Sequence, residues 1–161
     1  MGQGYSLLGL VVIVILYAVI GLMSLAGTIC ISRKIFAPRS EQIFYGLFLI
    51  LVAGFYLAFT AYFGIETAWR LESAAVLVFA LIGLLGTRVP FAIIIGYSLH
   101  AMWDVLHELQ AHGGPSAFGP DQVTAIPLAY GVFCAAYDFG VAAYAYARRG
   151  DWSAAWQSGP Q

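Results

Sequence analysis

Charge is scarce in this chain: only 9% of its 161 residues are Asp, Glu, Lys or Arg, against about 25% in an ordinary soluble domain. So little polar surface cannot cover a globule in water, and a soluble fold is excluded. The seven lysines and arginines fall in small groups, with no patch able to neutralise phosphates, so nucleic acid is excluded as a partner. Two cysteines, Cys30 and Cys134, sit inside apolar runs; one such pair builds no disulfide framework and says nothing about compartment. No repeat, low-complexity tract or long linker divides the chain, so residues 1–161 are expected to form a single domain. Met1 to Gly4 carry no basic residue, and the apolar run that follows is longer than the 7–15 or so residues of a cleavable signal. The first segment is therefore expected to stay in the protein. The myristoylation-like pattern of Met1, Gly2 and Ser6 is read as chance, since an acyl anchor adds little beside spanning helices.

What remains is apolar: 61% of the residues are hydrophobic and the mean hydropathy is +0.85. The expected fold class is all-α, a polytopic membrane protein in the lipid bilayer with a bundle of five transmembrane helices. A span needs about 20 predominantly apolar residues, and such stretches occur at about 5–31 and 43–65. The long run that follows is broken by Gly86-Thr87-Arg88-Val89-Pro90, which divides it into spans at 66–87 and 90–110. A fifth lies at about 123–147, after a loop marked by Gly113-Gly114-Pro115-Ser116 and Gly119-Pro120. Glu66 and Arg70, at i,i+4, are expected to pair. Trp152 and Trp156 are expected to act as interfacial anchors.

Basic residues in short loops are retained on the cytoplasmic side. With five spans, Arg33, Lys34, Arg39, Arg88, Arg148 and Arg149 share one face and only Arg70 falls on the other. This places the N-terminus outside and the C-terminus in the cytoplasm.

Ionisable groups inside a span cost about 2.5–3.5 kcal/mol each even on a lenient scale, so they mark candidate sites. The fourth span carries His100, Asp104 and His107 at i, i+4 and i+7, within roughly 60° of one another, with Tyr97 one turn below. The fifth carries Asp138. Counting about 1.5 Å per residue from the basic ends sets Asp138 level with His100, Cys134 with Asp104 and Gly131 with His107. The Asp138 side of the fifth span, from Gly131 through Ala135 to Ala145, is almost entirely small, which lets two helices approach closely. The fourth and fifth helices are thus expected to pack together with Asp138 facing the His/Asp stripe.

His100, Asp104, His107 and Asp138 are the candidate metal ligands. Imidazole and carboxylate suit a divalent transition metal, Zn, Fe, Mn or Cu. Glu108 and His112, just beyond, are the candidate catalytic proton carriers, with Glu66 and Glu72 weaker ones. The competing reading is a His–Asp pair that only ties two helices together. Haem is disfavoured because all three histidines lie within positions 100–112, and the multiple histidine boxes of membrane di-iron desaturases are missing. There is no phosphate-binding glycine loop, and Ser98 points away from the stripe. Tyr17, Tyr56, Tyr97, Tyr130 and Tyr137 are candidates to line a cavity.

His100-x3-Asp104-x2-His107 in one span, followed by Ile126-Pro127, Tyr130, Cys134 and Tyr137-Asp138 in the next, resembles a family of small uncharacterised bacterial integral membrane proteins over roughly the last third of the chain. The resemblance implies a bacterial origin and a multi-pass architecture, with no activity to carry over. The expected location is the bacterial inner membrane. The functional expectation is metal-assisted chemistry on a small-molecule or lipid-soluble substrate. A proton or metal-ion transporter using the same cluster, and an accessory subunit in a homo-oligomer or larger membrane complex, stay open as alternatives.

Overall fold

The computed structural model describes residues 7–114, 117–119 and 121–158. Five α-helices follow one another: α1 Leu7–Ile35, α2 Pro38–Phe63, α3 Trp69–Gly86, α4 Pro90–Ala111 and α5 Tyr130–Gln157, with a 3-10 turn over Glu66–Ala68. No strand occurs among the described residues. Helices Leu7–Ile35, Pro38–Phe63 and Glu66–Gly86 (the last taken with its 3-10 turn) are long and apolar enough to cross a membrane. Large apolar side chains face outward, as with Val12, Ile15, Leu22 and Met23 on α1 and Leu77, Leu81 and Leu85 on α3. The expected start of the first span at residue 5, the Met1, Gly2 and Ser6 pattern, and Pro115, Ser116 and Pro120 of the expected loop lie outside the described residues.

Several helix ends differ from expectation. α1 runs on to Ile35, so Arg33 and Lys34 fall in its last turn, where basic side chains complement the helix dipole. α2 begins at Pro38 rather than residue 43, because proline at the first helical position is preorganised for that start; this draws Arg39, Glu41 and Gln42 into the helix. Glu66 lies in the 3-10 turn, outside the helical register, and no Glu66–Arg70 ion pair forms among the described residues. α5 begins at Tyr130, not at Val123, since Pro127 disfavours helical backbone at Ile126. It then continues past Arg148 and Arg149 to Gln157.

α4 packs on α5 along the longest interface, α2 on α3 along the next, and α1 lies mainly against α5 while scarcely meeting α2. Gly46 and Gly83 explain the α2–α3 contact. A Cβ on Gly83 would sit 2.5 Å from Gly46 O, and one on Gly46 would sit 2.7 Å from Gly83 O, so only glycine allows the backbones to touch. The core joins Tyr45 and Leu49 of α2, Ile93 and Tyr97 of α4, and Val141 and Trp152 of α5.

One end of the bundle is clamped by the last turns of α5. Glu41, only 1% exposed, accepts hydrogen bonds from Tyr144 Oη (2.5 Å), Arg148 Nη2 (3.1 Å), Trp152 Nε1 (2.9 Å) and Ser32 Oγ (3.3 Å). Gln42 donates to Gly86 O and accepts from Trp156 Nε1. The Arg39 and Arg88 guanidinium groups lie 4.3 and 4.2 Å from the Trp156 ring centroid. Trp152 is therefore not an interfacial anchor, whereas Trp156 is half-buried at that end of the bundle. Trp152 is fully buried, because the helix continues and turns it onto α2.

Candidate functional site

α4 and α5 meet as the depth count expects. A Cβ on Gly131 of α5 would fall 2.5 Å from Asp104 O and 2.8 Å from Glu108 Cβ on α4, so glycine there sets the separation of the two helices. One turn further on, His100 Nδ1 lies 2.6 Å from Asp138 Oδ2. The same nitrogen is 3.4 Å from Asp104 Oδ2. Ligand atoms of His100, Asp104 and Asp138 all lie within 4.8 Å of one another, and none of the three residues is more than 2% exposed.

Two atoms of this group are left without hydrogen bonds among the described residues: Asp104 Oδ2 and His100 Nε2. The Nδ1 proton is committed to the nearer Asp138, which explains the first. His100 Nε2 belongs to a ring packed against the edge or face of Phe79, centroids 4.8 Å apart at 72°. Even with His100 protonated, two ionised carboxylates leave one excess negative charge in a buried site, an expensive arrangement unless a further proton or a cation neutralises it. One neutral imidazole, two carboxylates and a dication sum to zero, so the residues fit a divalent metal.

His107 is turned away from this group. Its Nδ1 lies 2.9 Å from Trp103 O, and a carbonyl only accepts, so Nδ1 carries hydrogen. Nε2 then faces Glu72 Oε1 at 2.9 Å, a contact that requires a proton held between the two. Glu72 Oε1 also accepts from Thr124 N at 2.8 Å, a donor freed by the non-helical chain ahead of α5, while Glu72 Oε2 has no partner among the described residues. Glu108 and His112 pair with each other at 2.8 Å, outside the three-residue group, and Glu108 Oε2 accepts from Gly131 N at 2.9 Å.

Two contributors carried little signal in the sequence. Tyr56 on α2, read only as a ring that could line a cavity, donates to Asp104 Oδ1 at 2.5 Å, and its ring lies 4.3 Å from that of His107. Glu72 is fully buried as the partner of His107. Its place in the first turn of α3 looks in sequence like a headgroup position. Tyr97 is buried below the site and donates to Tyr45 O at 3.0 Å. Both cysteines are free.

An all-α bundle with an apolar exterior and ionisable groups gathered inside defines the architecture of a membrane protein. The chain belongs to a family of unknown function, DUF6010, whose family model matches residues 10–151. No curated protein and no solved structure matches it.

Proposed function

We propose that the chain is a five-span protein of the bacterial inner membrane, N-terminus outside, that holds one divalent transition metal between α4 and α5 and uses it in chemistry on a small or lipid-soluble substrate. The observation that carries this reading is the buried group His100, Asp104 and Asp138, with ligand atoms within 4.8 Å of one another and one carboxylate oxygen without a hydrogen bond among the described residues. α4 and α5 have 22 and 28 residues, about 33 and 42 Å at the helical rise, enough to cross about 30 Å of hydrocarbon. Between Tyr130 and Ala147 the one carboxylate of α5 is Asp138, and the acidic and imidazole side chains of α4 are His100, Asp104, His107 and Glu108.

His100, Asp104 and Asp138 hold the ion, and the oxygen-rich set favours Mn, Fe(II) or Zn over Cu. When bound, the ion supplies Lewis acidity toward a substrate or water oxygen. The chain's own residues do the rest. Tyr56 orients Asp104 through Oδ1 and leaves Oδ2 for the ion. His107 and Glu72 hold a proton beside Tyr56. Glu108 and His112 carry protons toward the less buried end, where His112 Nε2 meets Glu108.

Elemental analysis of the purified full chain tests this. About one transition-metal ion per chain is expected, lost in His100→Ala and Asp138→Asn. A protein that carries no such metal and takes up none on reconstitution overturns it. A second reading, proton transport, draws on three imidazole–carboxylate pairs spaced along α4: His100 with Asp138, His107 with Glu72, and His112 with Glu108. Proton flux in liposomes without bound metal would favour it.

A further inference from the structure

Because α1 leans on α5 and scarcely meets α2, a cleft remains between α1 and α2 with α5 as its floor. It encloses a cavity of about 380 Å³. Six aromatic rings line it: Phe48, Phe55 and Phe59 from α2, and Tyr130, Phe133 and Tyr137 from α5. Phe59 and Tyr130 meet edge to face at 4.8 Å, and Phe48 lies 6.2 Å from Tyr137. α1 contributes the small side chains Ser24 and Thr28, and among the described residues the one carboxylate in the wall is Asp138. Phe55 is 46% exposed, so the cleft is open at its rim to the apolar exterior.

We propose that this cavity takes a membrane-dissolved aromatic alcohol, a phenol or hydroquinone, whose hydroxyl donates to Asp138. Three features select that chemistry. Rings on two walls offer edge-to-face partners to another ring. An anionic acceptor that already meets a histidine on one side receives a neutral donor better than another acceptor. The volume holds one substituted ring, and the open rim lets an alkyl or isoprenoid tail remain in lipid. The assignment rests on the metal reading only in taking this molecule as the substrate; occupancy of the cavity stands by itself. The two readings meet at Asp138, which belongs both to the cavity wall and to the candidate ligand set.

The test uses the full chain in lipid nanodiscs with 4-octylphenol as probe, and octylbenzene and octanol as competitors that lack the hydroxyl or the ring. Saturable binding near one molecule per chain is expected, with octylbenzene weaker by at least about tenfold, the ratio a lost charged hydrogen bond carries, and octanol weaker because it loses the ring contacts. Ser24→Trp, which fills the cavity from α1, should abolish binding, and Phe55→Leu should weaken it roughly two- to tenfold. The thermal transition of Ser24→Trp in detergent should match that of the wild type, which separates a blocked cavity from a misfolded chain whether or not metal is bound. Equal competition by octanol makes the cavity a slot for acyl chains and overturns the proposal, as does undiminished binding in Ser24→Trp. Phenol binding by a protein without metal sinks the metal reading and leaves the cavity assignment in place.

Discussion

Two sets of buried acids lie at different heights in the bundle, and they are built on opposite principles. Around Glu41 both carboxylate oxygens are saturated by a tyrosine, an arginine, an indole and a serine drawn from α1 and α5. Around Asp104 and Asp138 two acids share one imidazole, and an oxygen and a ring nitrogen are left without hydrogen bonds among the described residues. The first set has no capacity left for a ligand and holds three helices in register. The second has spare capacity and excess charge, and that is where chemistry can occur.

The contrast can be tested by substitution, in descending order of effect on stability. Glu41→Ala takes the acceptor from Tyr144 and Trp152, leaves Arg148 with Asp151 alone, and should cost about 3–5 kcal/mol, read as a large fall in the thermal transition in detergent, while the proposed metal content of folded molecules is unchanged. Trp152→Phe removes one donor to that carboxylate and should cost about 1.5–3 kcal/mol, again with metal content unchanged. Gly131→Ala drives a methyl group against Asp104 O. It should cost about 1–3 kcal/mol and also weaken retention of the proposed metal, because it separates α5 from α4 where the candidate ligands meet. Asp138→Asn removes the excess charge of the metal-free site and, compared in chelator, should shift stability by about 1 kcal/mol or less, yet without chelator take the proposed metal to background. If Asp138→Asn melted the protein as Glu41→Ala does, the two clusters would be alike and the distinction would fail.

The pairing of α4 with α5 is legible in the sequence. Small residues on one face and acids and histidines at matched depths constrain two helices to one approach, and His100 meets Asp138 accordingly. The partners from α2 and α3 were not legible, for physical reasons. α2 is apolar on all sides, so its sequence does not say which stripe turns inward, and the role of Tyr56 cannot be separated from that of Phe55 or Phe59. Glu72 sits near a helix start, where an acid is ordinarily solvated. Only the course of residues 123–129, bent by Pro127, buries it beneath Thr124. Glu41 was hidden because the stretch Pro38 to Gln42 reads as a polar connection until Pro38 is taken as a helix start. His107 shares a stripe with His100 in projection, but seven residues of rise carry it to a different acid.

The Gly46–Gly83 contact makes α2 and α3 one unit, and the Gly131 approach makes α4 and α5 another. Of the polar links at the centre, Tyr56 to Asp104 and His107 to Glu72 cross the seam between these units, whereas His100 to Asp138 lies wholly within one. Grip and adjustment are thereby assigned to different halves of the molecule. A shear along the seam would alter the donors offered to Asp104 and His107 and leave the imidazole anchor undisturbed.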